Sequence, residues 1–134
     1  MDIKKEKALC QKQWAKNKYL VLSHSSKIYL EIRTYLKQEE VSLEKVNKLI
    51  KQAINLPEDK GQVTNALHHV WGYFKKFATK EEKDNFFEMI EDYHINKTKK
   101  EDLIEEVKKL LEKYPNTYLE QSTFINGGKD ETLA

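Results

Sequence analysis

Apolar residues recur at helical spacing over most of this chain. At about 100° per residue, Val63, Ala66, Leu67, Val70, Phe74 and Phe77 fall on one side of the stretch 61–77, with Trp71 at the margin, while Asn65, His69, Gly72 and Lys76 line the opposite side. The spacing predicts a helix with two distinct faces. A face that only meets water has no need of glycine, which costs a helix about 1 kcal/mol relative to alanine. The row Asn65, His69 and Gly72 is therefore a candidate site.

The first helix is expected to run from near Ile3 into the thirties, because no Gly or Pro interrupts residues 8–36. Trp14, Val21, Ile28, Ile32 and Leu36 form its stripe, flanked by Leu22 and Tyr29. Lys18 and Ser25 fall inside that stripe, and Asn17 and His24 lie along one flank. A buried ammonium is costly unless it is paired or reaches water. Either this face lines a polar cavity or Lys18 snorkels.

Ser42 is a good N-cap, and Leu43, Val46, Leu49, Ile50 and Ile54 give a second amphipathic helix that Pro57 closes. After the 61–77 helix, Thr79 with Glu82 has capping-box spacing and starts a helix burying Phe86, Phe87, Ile90 and Tyr93. Thr98 with Glu101 repeats the device before Leu103, Ile104, Val107, Leu110 and Leu111. Beyond Pro115 a single helical turn is expected around Tyr118 and Leu119, with Phe124 and Ile125 as a last apolar contact. The predicted fold is all-α, a single-domain bundle of about five helices over residues 1–125, with a flexible tail over 126–134. With only 4 Gly and 2 Pro, a turn-rich sandwich or barrel does not fit.

Charge sharpens this picture. The net charge is only +2, but residues 1–38 carry 9 Lys/Arg against 3 Asp/Glu, and residues 60–80 carry 4 against none. Should these segments pack together, an anionic partner would meet a concentrated positive field.

Several chemistries lose support. Glycine occurs only at 61, 72, 127 and 128, which leaves neither a Walker-type loop nor a dinucleotide fingerprint. No cofactor is expected. Glu91–His94 has Glu-x-x-His spacing, but a di-metal bundle needs the motif twice, so no metal site is expected. Cys10 is the single cysteine, which excludes an intrachain disulfide and suits a reducing compartment. Lysines flank it, yet an inert, partly buried thiol is the simpler reading. The N-terminus lacks a signal-peptide core and no apolar run is long enough to span a membrane, so a cytoplasmic setting is expected. His68 and His94 read as ordinary helix residues; Tyr73 is the best-placed aromatic for stacking.

The motifs Trp14-Ala15-Lys16-Asn17-Lys18-Tyr19, Leu22-Ser23-His24-Ser25, Asn65 with His69, Gly72-Tyr73-Phe74-Lys75, Tyr114-Pro115 and Tyr118-Leu119 together resemble the YbgA-like family of bacterial proteins, a domain of unknown function. Members of that family stand alone or follow a cysteine-rich domain similar to desulfidases of thiolated uracil. The resemblance therefore implies nucleobase, nucleotide or RNA chemistry, or a separately encoded desulfidase-like partner. This chain lacks the cysteines of that domain, so desulfidation itself does not carry over.

The leading expectation is a basic pocket between the first and the 61–77 helix that binds an anionic nucleotide or RNA group. Lys18, Lys75 and Lys76 would supply charge, Asn17 and Asn65 would read polar edges, and His24 and His69 would exchange hydrogen bonds. Ser25 shares the row, Tyr73 would stack, and Gly72 would permit close approach. One rival is a small enzyme with His24 or His69 as acid/base, which needs a histidine in a closed pocket. The other is a protein-partner module, which needs a large exposed apolar patch.

Overall fold

The computed structural model describes residues 2–127, and these form eight helices with no strand among them. Six are α1 (Ile3–His24), α2 (Ser26–Tyr35), α3 (Leu43–Ile54), α4 (Lys60–Trp71), α5 (Lys80–His94) and α6 (Lys100–Lys113). Two single-turn helices follow, α7 (Thr117–Glu120) and α8 (Thr123–Asn126). The all-α expectation holds, and the expected five helices become eight because the first is split in two and two single-turn helices follow α6.

The long first helix is two. Ser25 leaves the helix at φ −158°, ψ 110°, and its hydroxyl accepts the Ile28 N–H at 3.0 Å. A serine that can take an orphan N–H makes an N-cap without help from glycine or proline. The apolar stripe survives the break, since Val21, Ile28 and Ile32 are all buried.

The helix expected to reach Phe77 stops at Trp71. Gly72 directs its N–H at the carbonyls of both His68 and His69, and Tyr73, Phe74 and Phe77 each bond three residues back. A Cβ on Gly72 would sit 3.1 Å from the His69 carbonyl oxygen, tighter than ordinary contact. The missing side chain eases this tightened turn. Phe77 is thereby turned outward, 64% exposed, against the expectation that it is core.

The other addition follows α6. Asn116 caps α7, and Gly127 closes α8 in the left-handed conformation at φ 98°. Asn126 thus belongs to α8; the rest of the expected tail, beyond Gly127, lies outside the described residues. The capping box Thr79–Glu82 forms as the spacing predicts. The second box shifts by one residue, because the Asp102 carboxylate, rather than Glu101, takes the Lys99 N–H and the Thr98 hydroxyl.

Two apolar cores share α1 as their common wall. Cys10 and Val21 join α2 and α3 on one side, while Tyr19 and Leu22 join α4, α5, α6 and the last two short helices on the other. Val63, Ala66, Leu67 and Val70 are fully buried in the second core, where each large aliphatic side chain contributes about 1.5–3 kcal/mol. Trp71 stacks on Phe86 with ring centroids 5.3 Å apart, which makes it a core residue. The connections are pinned as well: the Glu6 carboxylate of α1 accepts the Leu43 N–H at the start of α3.

Candidate functional site

α4 runs antiparallel to α1. The Asp59 N–H at the head of α4 reaches the Ser23 carbonyl near the end of α1, and Tyr19, further back in α1, meets His69 and Tyr73 at the other end of α4. The two basic segments of the sequence are therefore packed together, as a concentrated positive field requires.

At this junction the tyrosines gather. Tyr19 is nearly buried, its hydroxyl lies 2.9 Å from that of Tyr73, and its ring stacks on His69 with centroids 6.1 Å apart. Tyr73 in turn lies face to face with Tyr118 of α7, 5.6 Å away and tilted by only 15°. Burial, then the hydrogen bond to Tyr73, pushes the Tyr19 hydroxyl far above the usual tyrosine range. Burial also raises Tyr118.

Lys18 completes the group. Its ammonium stands 5.1 Å from the Tyr118 ring centre and 5.2 Å from that of Tyr19. Among the described residues it has no carboxylate partner. The half-buried side chain thus snorkels along the helix and rests its charge on two aromatic faces. A cation held this way exchanges its ring for a phosphate or carboxylate at little cost, because the ring contact contributes only about 0.5–1 kcal/mol at a surface.

The other expected residues divide. His69 joins the cluster through Tyr19 and is exposed; Asn65 is exposed one turn away on the same face of α4. Lys75 and Lys76 are exposed in the turn that follows Gly72. Asn17 is fully buried instead. Its Nδ2 donates to the Gln13 carbonyl and its Oδ1 accepts from the Thr123 hydroxyl at 2.8 Å, tying α8 to α1. His24 and Ser25 lie about 9 Å or more beyond Lys18 along α1, at a 1.5 Å rise per residue. There His24 Nδ1 donates to the Leu56 carbonyl at 2.6 Å, fastening the α3–α4 connection, while Ser25 caps α2. His24 is half-buried and His69 exposed, and among the described residues neither shares a hydrogen bond with Lys18 or an asparagine. Cys10 is fully buried with its thiol pushed up by burial and then by Glu6, the opposite of an activated nucleophile.

Tyr19 and Tyr118 are the residues that helix projection does not find. Tyr118 arrives from a different part of the chain, and Tyr19 projects nearly opposite the Trp14, Val21 and Ile28 stripe, where a single helix gives no reason to expect a buried ring. The only signal for them is their place in the WAxNKY and Tyr-Leu motifs.

The exposed large apolar residues Ile3, Leu9, Leu30, Leu56, Phe77 and Ile95 are distributed over five different segments of the fold. Among the described residues no helix is long and apolar enough to cross a membrane.

No curated protein and no solved structure matches the chain. A family model described as "Protein of unknown function (DUF1722)" matches residues 18–127, from Lys18 itself through α8. The matched span takes in Lys18, Tyr19, His69, Tyr73 and Tyr118, and the YbgA-like resemblance agrees with it. The chain belongs to this family, the DUF1722 proteins of unknown function.

Proposed function

We propose that the protein is a binding module for an anionic ligand that carries an aromatic ring, of the nucleotide or RNA type, held where α1, α4 and α7 meet. The observation that carries this reading is the Lys18 ammonium, poised over the Tyr118 and Tyr19 rings with no carboxylate partner among the described residues. An incoming phosphate draws the ammonium off the ring, forming a charge-assisted hydrogen bond stronger than the contact it replaces. The vacated ring face then meets the base, whose π-face stacks on any aromatic side chain. Tyr73 and Tyr118 brace each other for this role, and the exposed His69 and Asn65 offer hydrogen bonds to base or sugar.

The test is a titration of the purified protein with mononucleotides and with total RNA at two salt concentrations, alongside Lys18→Ala and Tyr118→Ala. Binding that weakens with salt and drops roughly tenfold or more in Lys18→Ala supports the site. Binding untouched by both substitutions moves the ligand elsewhere on the molecule. No binding of either ligand type at either salt concentration overturns the reading in favour of a protein partner such as a desulfidase-like enzyme.

A further inference from the structure

Two surface grooves end on the rings of the Lys18 cluster, one from each side. The first, 310 Å³, runs along α1 and α2, is walled by Trp14, Leu36, Arg33 and Lys37, and ends on Tyr118. The second, 270 Å³, begins at Tyr73 and continues past Phe77, Tyr114 and Pro115. Because Tyr73 and Tyr118 stack at 5.6 Å, the end wall of one groove is in contact with the end wall of the other.

Neither lining contains a carboxylate. Two other grooves of comparable size do: one of 400 Å³ over α3 includes Glu44, and another includes Glu112 and Glu120. Those two also lack aromatic lining residues. The paired grooves thus combine rings with positive charge, the composition that tracks a flexible polyanion with planar bases.

We propose that the two grooves and the Lys18 cluster form one track for single-stranded nucleic acid, with bases against Trp14, Tyr118, Tyr73 and Phe77 in succession. This rests on the reading above and extends it from one nucleotide to a strand. Arg33 and Lys37 neutralise phosphates on the α2 side, Lys18 at the crossing, and Lys75 and Lys76 on the far side, where both are exposed in the turn that carries Phe77. Lys113 contributes less there, since Glu82 holds it at 3.1 Å. Phe77 is the ring that tells a strand from a duplex: it is 64% exposed and stacked on Tyr114 at 6.3 Å, so its remaining surface takes a base only when that base is itself unstacked.

The experiment compares fluorescence titrations of hexaadenylate, AMP and a fully paired hairpin RNA on the wild-type protein, Phe77→Ala and Arg33→Gln. Both substituted side chains are exposed, and thermal melts verify that each variant folds. The expected result is hexaadenylate binding roughly tenfold or more tighter than AMP, weakened about fivefold or more by each substitution. AMP affinity stays at the wild-type value in both variants. Equal affinity for hexaadenylate and AMP, with both variants silent, overturns the track while leaving the central nucleotide site intact. Loss in only one variant overturns the crossing of the two grooves, and equal binding of the hairpin overturns the strand specificity. Failure of AMP and hexaadenylate alike overturns both this inference and the reading beneath it.

Discussion

Asn17 and Lys18 are sequence neighbours with opposite assignments, and alanine at each position should separate them. Asn17→Ala removes the hydrogen bond to the Gln13 carbonyl at 3.0 Å and the acceptor for the Thr123 hydroxyl at 2.8 Å. Each buried bond contributes about 0.5–1.5 kcal/mol net, and the Thr123 hydroxyl keeps a second acceptor in the Lys16 carbonyl at 3.1 Å, so no orphaned group adds to the loss. The expected loss from the two bonds is therefore about 1–3 kcal/mol. With an unfolding entropy near 2.1 cal/mol/K per residue, each kcal/mol lowers Tm by ~3.6 °C in a chain of 134 residues, so the fall should be ~4–11 °C. Lys18→Ala loses only a surface ring contact and should move Tm by ~2–3 °C or less. Differential scanning calorimetry on both variants, with Thr123→Val and the Asn17→Ala/Thr123→Val pair, completes a double-mutant cycle whose coupling should be about 1 kcal/mol. A Tm for Asn17→Ala within 2–3 °C of wild type (~0.7 kcal/mol), or a vanishing coupling, would refute the assignment of Asn17 to the fold.

Ser25→Ala should cost about 1 kcal/mol through loss of the α2 cap and leave AMP affinity unchanged, read by urea denaturation and titration together. Tyr19 adds stability that is fully present below about pH 10, the unfolded tyrosine value, and is lost as pH rises from there toward its raised folded value. Urea midpoints of the wild type should therefore fall more steeply above about pH 10 than those of Tyr19→Phe; equal slopes would contradict the buried hydroxyl. Glu82 behaves in the opposite sense. The Thr79 N–H, then the Tyr114 hydroxyl and Lys113, lower its carboxyl to about 2. Its contribution is present above the unfolded carboxylate range of ~4.3 and fades as pH falls toward about 2, so Glu82→Gln should flatten acid unfolding in that window.

What could be read before the fold was known follows from range. Positions that a single helix decides were legible: the buried face Val63, Ala66, Leu67 and Val70, and the capping box at Thr79 and Glu82. Two helix ends were misplaced because their causes are local choices between competing hydrogen bonds. Ser25 could have continued a helix or capped the next, and Gly72 could have stayed in register or tightened the turn. The site was half legible. Lys18, His69 and Tyr73 stood out as polar or aromatic breaks in an apolar pattern, and they do converge. Asn17 broke the pattern equally well, but its partner Thr123 lies 106 residues away, so a buried structural amide looked the same as a ligand reader. Tyr118 was hidden for the same reason: no projection of one helix shows which ring a distant segment will bring.

That distance has a consequence for assembly. The bond from Thr123 to Asn17 closes a loop of more than a hundred residues, whereas α1, α2 and α3 can associate through short connections. Loop closure costs entropy that grows with the logarithm of loop length, and contacts of high sequence separation tend to form late. The α7–α8 segment should therefore dock last, and native-state hydrogen exchange should find its amides opening before those of α1. Since Tyr118 rides on that segment, a chain still folding would carry Lys18 over one ring instead of two, and ligand affinity would appear only with the final docking step.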